Sequence, residues 1–194
     1  MSLPAATTFG DYTFEGCSKL VTVNLPAATT FGHRTFEYCD SLTTVNLPAA
    51  TTFGSYTFSL CTSLETVNLP VATTFGDKTF ESCYSRLKTV SLPAATTFGE
   101  ETFRSCTSLT TVSLPVASAF GDRTFESCTR LETITLGATP PTIGTQTLVF
   151  TYAAVPTLTI KVPGGSVGAY TAWKTDNANR LATPTGKTVT IEAL

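Results

Sequence analysis

One stretch of this sequence carries the letters of a catalytic motif: Gly164-Gly165-Ser166-Val167-Gly168 fits G-x-S-x-G. A nucleophile elbow of that type needs a strand before it, and an acid and then a histidine further along the chain. The only histidine, His33, lies far upstream, and no residue after Ser166 replaces it. The stretch therefore reads as a glycine-rich turn that opens a short helix. The second candidates are six cysteines, at 17, 39, 61, 83, 106 and 128, but they include no C-x-x-C pair and no histidines at zinc-ligand spacing. Neither a phosphate loop nor a dinucleotide fingerprint is present. These residues point to no catalytic centre, no metal site and no cofactor.

What the cysteines do show is order, because each occupies the same slot of a repeat. Leu3, Leu25, Leu47, Leu69, Leu92, Leu114 and Leu136 mark the same period, 22 residues at every step except one of 23. The additional residue lies in "CYSRL" (83–87), and a loop is expected there, since an insertion inside a strand flips every later side chain. Identical slots in successive repeats imply parallel stacks. Rungs ~4.8 Å apart with parallel Cβ vectors do not form disulfides without backbone distortion, so the cysteines are expected to be reduced and buried.

The elements that must hold these slots follow from the pattern after each cysteine, L-x-x-V-x-L, which runs from Leu20, Val23 and Leu25 to Leu131, Ile134 and Leu136. Its end alternates like a strand with one buried face. One strand per repeat cannot make hairpins, so strands of successive copies must lie parallel, coil upon coil. Proline after the strand (Pro26, Pro48, Pro70, Pro93, Pro115) ends the ladder for want of an N–H. The return path "ATTFGDYTFEGC" places twelve of the thirteen phenylalanines in two slots, from Phe9 and Phe14 to Phe120 and Phe125. These are expected to form core ladders, with the intervening glycine serving positive φ or close packing. The "TFExC" segment is long enough for one helical or 3₁₀ turn. A repeat alone cannot bury its apolar face, whereas stacked copies bury it mutually.

Beyond Leu136 the pattern is looser. Ile143 and Leu148 fall in the phenylalanine slots, and Ile160 and Val162 in the strand slots, of a repeat enlarged by four residues. "GGSVGAYTAW" (164–173) is expected to form a short helix in which Tyr170 and Trp173 cover the last rung. The tail "TPTGKTVTIEAL" alternates like one more strand or the start of a following domain. The expected organisation is six repeats over 3–136, an enlarged repeat over 137–163, and a cap and tail over 164–194. Met1 is followed within two residues by a repeat already under way, so the chain reads as a segment of something longer.

The strand pattern L-x-x-V-x-L-P, the return "FGxxTFExCxxL" and the ending "TPPT…LTIKVPGGSVGAYTAW" together resemble the BspA-like leucine-rich repeat proteins over residues 3 to about 174. The resemblance implies a mainly β leucine-rich repeat solenoid. A parallel sheet would line its concave face, with turns and short 3₁₀ or helical segments on the convex face and a small C-terminal cap. It also implies a cell-surface or secreted setting, an adhesive role and no catalytic residues. The chain lacks the N-terminal cap and the LPxTG anchor that such a setting brings to mind; "LPAAT" is only superficially similar.

The residues alternating with the inward valines and leucines then form the candidate binding face. One column is Thr22, Thr44, Thr66, Thr89, Thr111 and Thr133; the next is Asn24, Asn46, Asn68, Ser91, Ser113 and Thr135. A third, Val21, Thr43, Glu65, Lys88, Thr110 and Glu132, varies along the stack. β-Branched residues suit strands in any case, and hydroxyl ladders can satisfy one another. The turn residues Asp11, Tyr12, Arg34, Tyr56, Lys78 and Arg123 form a second candidate surface. Charged residues make up 13% of the chain and the net charge is −2, which excludes a phosphate-neutralising basic face and hence nucleic acid as partner. No apolar run approaches the ~20 residues of a membrane span. The expected function is binding an extracellular protein or glycan, with a passive spacer as the alternative. Ice binding would need a flat T-x-T array, whereas these columns read T-x-N and T-x-S. The first coil also offers an end for self-association.

Overall fold

Each T-V-N or T-V-S triplet forms a short strand with its threonine and asparagine or serine outward and its valine turned to the core. The computed structural model describes residues 3–144, 157–178, 181 and 188–194; the Leu148 slot lies outside them. Strands of successive coils pair in parallel without a slip: Thr22 faces Thr44, which faces Thr66, and Thr89 faces Thr111, which faces Thr133. The 83–87 segment is a loop, and Val90 beyond it is still buried, so the inserted residue costs no change of face.

The insertion does break the ladder. The strands of this face form two sheets, one of Thr22–Asn24, Thr44–Asn46 and Thr66–Asn68, the other running from Thr89–Ser91 through Thr111–Leu114, Thr133–Leu136 and Thr157–Val162 to Thr188–Ala193. Elsewhere the leucine after the triplet donates its N–H to the next coil, as Leu47 does to the Asn68 carbonyl (3.1 Å) and Leu92 to that of Ser113 (3.0 Å). No such bond joins Leu69 to Ser91. Val67, beside the break, is only partly buried where Val23 and Val45 are fully so.

A second ladder holds the coils together behind the first. The residue pairs Thr8–Phe9, Thr30–Phe31, Thr52–Phe53, Thr74–Phe75, Thr97–Phe98, Ala119–Phe120 and Thr142–Ile143 make one continuous seven-stranded parallel sheet. These two-residue strands are too short for a period to reveal them in sequence. Their phenylalanines stack at 5.3–5.4 Å from Phe9 to Phe120, and the second column stacks at 5.3–5.5 Å from Phe14 to Phe125. Burying each ring contributes about 2–3 kcal/mol, so the two columns dominate the core.

The glycine between them serves close packing. At Gly54 an added Cβ would lie 2.7 Å from the Gly32 carbonyl carbon and the His33 amide of the preceding coil. Among the described residues the left-handed backbone is supplied instead by Gly16 (φ 68°) and by eleven non-glycine residues with φ of 54–62°, in two rows that include Tyr12, Arg34 and Tyr56 in one, Tyr38, Leu60 and Ser82 in the other. The non-glycine residues cost about 1 kcal/mol or more each. The conformation turns alternate amides along the stack: Tyr12, Phe14 and Gly16 donate to the carbonyls of His33, Thr35 and Glu37 at 2.8–2.9 Å. The threonine of "FGxxTF" closes the turn within each coil, as Thr57 Oγ1 donates to the Gly54 carbonyl at 2.6 Å.

At the far end Gly164–Ser166 forms a 3₁₀ turn leading into the helix Val167–Asp176. Tyr170 is buried and donates its hydroxyl to the Thr139 carbonyl (3.0 Å), and Trp173 Nε1 donates to that of Pro141 (2.9 Å). The tail adds one more parallel strand, Thr188–Ala193, beside Thr157–Val162.

Candidate functional site

The two outward columns are brought onto one face. Thr22, Asn24, Thr44, Asn46, Thr66 and Asn68 stand on the first sheet, and Thr89, Ser91, Thr111, Ser113, Thr133 and Thr135 on the second, all exposed or half-buried. The asparagines form a side-chain ladder: Asn46 Nδ2 donates to Asn24 Oδ1 (2.8 Å) and Asn68 Nδ2 to Asn46 Oδ1 (2.5 Å). This ladder stops at the break. The second sheet extends the columns beyond Thr135, because Thr159 and Lys161 face Thr133 and Thr135, and Thr190 and Glu192 follow in register. Thr159 and Lys161 were readable from the strand slots of Ile160 and Val162; Thr190 and Glu192 lie on the tail strand, which the sequence left open.

Between the two sheets lies a cleft of about 510 Å³ lined by Glu65, Thr66, Ser85, Arg86, Lys88 and Thr89. Arg86 Nη1 lies 3.7 Å from Glu65 Oε2, with both side chains more than half exposed. Ser85 and Arg86 are the cleft residues outside the outward columns; the signal for them is the single 23-residue step. Between the hydroxyl and amide columns of the two sheets, the cleft brings together one acidic and two basic side chains.

The second candidate surface is tied up in contacts between coils. The Arg34 guanidinium carbon lies 4.7 Å from the Tyr56 ring centre and 5.9 Å from that of Tyr12, and Lys78 Nζ lies 5.3 Å from Tyr56. Asp11 Oδ1 accepts the His33 amide at 2.7 Å, and exposed His33 accepts the Ser55 amide through Nδ1 at 3.1 Å. Lys78, Arg104 and Arg123 converge on Glu101 at 3.1–3.3 Å. Burial would raise the Glu101 pKa, but the hydrogen bond and charge of Lys78, with Arg104 and Arg123, outweigh it and hold the carboxyl below its ordinary range. Glu37 goes the other way, because burial and the nearby Glu15 outweigh Arg34.

The cysteines form the expected parallel column and are free; all are buried except Cys17. Each buried thiol donates to a phenylalanine carbonyl of the preceding coil, from Cys39 on Phe14 (3.3 Å) to Cys128 on Phe103 (3.0 Å). Burial pushes the Cys39 and Cys106 thiols up to about 12. Ser166 sits at the start of the terminal helix, far in sequence from His33, and its side chain makes no capping hydrogen bond. Among the described residues, no group of three or more His, Cys, Asp or Glu side chains is placed to hold a metal ion, and no helix is long and apolar enough to cross a membrane.

Comparison with known proteins agrees with this architecture. The profile of the BspA type leucine rich repeat region matches six copies, over residues 1–110 and 29–155. No curated protein matches the chain. A leucine rich repeat protein of T. pallidum superposes with a TM-score of 0.72 at 28% identity, over 89% of this chain and 81% of that one. A leucine rich cell surface protein of Faecalibacterium prausnitzii gives 0.55 at 20% identity, over 86% of this chain and 64% of that one, and so shares the fold. With the repeat profile matched over most of its length, and with the coils, ladders and turns that the profile requires, this chain belongs to the BspA-type leucine-rich repeat family.

Proposed function

We propose that this chain is a non-enzymatic binding module, displayed at a cell surface or secreted, that engages an extracellular protein or glycan through its concave face. The observation that carries the reading is the outward array from Thr22 and Asn24 to Thr133 and Thr135, polar at every position and divided by a charged cleft between its two sheets. A rigid array of this kind suits recognition, because the side chains are held before the ligand arrives and little ordering cost remains. The cell-surface name of the F. prausnitzii neighbour supports the location.

A second reading, a passive spacer holding another domain away from the surface, is favoured by the near-identity of the rungs. Stacking distances that vary by only tenths of an ångström along the phenylalanine columns describe a uniform rod.

An array of extracellular-matrix proteins and glycans, probed with the parent and with Thr66→Glu/Thr89→Glu, separates the two. Binding lost in the double variant, with circular dichroism unchanged, supports the concave face. Absence of binding by both proteins supports the spacer, whose function should follow repeat number alone.

A further inference from the structure

We propose that the break between Thr66–Asn68 and Thr89–Ser91 is a binding site for the carboxylate of an acidic glycan, held by Lys88 and Arg86 with the hydroxyls around them. The inference rests on the reading of the concave face as the binding surface and gives that surface a ligand class.

Three observations converge on the break. The first is backbone chemistry. Thr44 and Thr66 donate to the preceding coil at Val21 and Thr43, and Thr111 and Thr133 do so at Lys88 and Thr110. The corresponding bond from Thr89 to Glu65 is missing, as is that from Leu69 to Ser91. The amides of Leu69, Lys88 and Thr89 and the carbonyls of Glu65 and Ser91 therefore lack these ladder partners in the place where the sheet opens, a mixture of donors and acceptors. Sugar hydroxyls offer the same mixture, since each both donates and accepts.

The second observation is charge. Lys88 is exposed and has no ion-pair partner among the described residues. Arg86 holds Glu65 only at 3.7 Å, whereas every other ion pair of the described residues is at 2.8–3.3 Å. A ligand carboxylate can take the place of Glu65 on the guanidinium fork and add the Lys88 ammonium. Glu65, Arg86 and Lys88 leave the cleft with one net positive charge on a chain of net charge −2.

The third is the character of the lining. All six side chains are polar or charged, and Thr66, Ser85 and Thr89 bring hydroxyls. A peptide partner is usually anchored by aromatic or aliphatic groups in a dry pocket, and none is offered here. The coils remain stacked behind the cleft, at 5.3 Å between Phe53 and Phe75 and 5.4 Å between Phe58 and Phe80, so the opening is a wedge entered from the concave side.

Calorimetric titration tests the site with three probes: a galacturonic-acid oligosaccharide, the same oligosaccharide with its carboxyls reduced, and poly-glutamate of matched charge. The expected result is that the uronate binds the parent and that carboxyl reduction weakens it roughly tenfold or more. Lys88→Glu should weaken it to a similar degree, while Lys19→Glu, the same charge change on the first coil, should leave it unaltered. Removing Arg86, which restores the 22-residue step, should abolish binding. If that deletion does not fold, as judged by circular dichroism, Lys88→Glu carries the test. Equal binding by the Lys88→Glu variant, equal binding of the reduced sugar, tighter binding of poly-glutamate, or no uronate binding would each overturn the proposal. Protein ligands lost from the array by Thr66→Glu/Thr89→Glu would still leave the broader concave-face reading standing.

Discussion

The rings of Phe53 and Phe75 stack at 5.3 Å and 8°, although the concave strands of the same two coils, Thr66–Asn68 and Thr89–Ser91, share no ladder. One residue inserted in 83–87 thus separates the coils on one side only. The continuous seven-stranded sheet and the phenylalanine columns keep them in register on the other. Deleting Arg86 should let the concave strands pair. Each regained backbone bond contributes about 1 kcal/mol net, so the variant should gain roughly 1–3 kcal/mol and melt higher. Amide hydrogen exchange at Leu69 and Thr89 checks the cause: both should change from fast to protected. A deletion that leaves Leu69 fast would contradict this account of the break.

The glycine column makes a paired prediction. Gly54→Ala drives a Cβ to 2.7 Å from the backbone of the preceding coil, which cannot step aside without breaking the stack. A loss of about 3 kcal/mol is expected, at the upper end for overpacking. Gly10→Ala in the first coil meets nothing within 4 Å and should stay within about 0.5 kcal/mol of the parent. Urea denaturation of both variants separates packing from any general preference for glycine in this slot.

Thiol reactivity reports the cysteine column. With Cys39 and Cys106 pushed up to about 12 by burial, almost none of their thiolate exists at pH 8. Titration of the folded protein with a disulfide reagent should show one fast thiol, Cys17, and unfolding in denaturant without reductant should release all six. Fewer than two would overturn the parallel register.

Glu101 links stability to pH. Its carboxyl is held below the ordinary 4.5, so its contribution is complete above that value and is lost as pH falls through the lowered one. Glu101→Gln removes the carboxylate shared by Lys78, Arg104 and Arg123, all partly solvated, and should cost about 1–2 kcal/mol at pH 7. The gap between parent and variant should narrow below about pH 4. Glu37 is shifted upward and acts in the opposite sense, so the difference between the two proteins is the quantity to plot.

The sequence by itself determined the stack. Repeats of 22 residues with leucine, valine, phenylalanine and cysteine in fixed slots can bury their apolar faces only against copies of themselves. The strand register, the inward side chains, the reduced cysteines and the outward threonine and asparagine columns were all legible from that period. The tertiary structure decided what depends on contacts between coils. The two-residue strands that form the longer sheet carry no periodic signal of their own. The glycines answer to a neighbouring backbone 22 residues away, and the strained φ angles belong to residues as different as tyrosine, arginine, leucine and serine, which no local rule selects. The break in the concave sheet is the clearest case: the spacing located an inserted residue, but only the packed coils show that it opens one side of the solenoid. The reason is that the phenylalanine columns hold the other side shut.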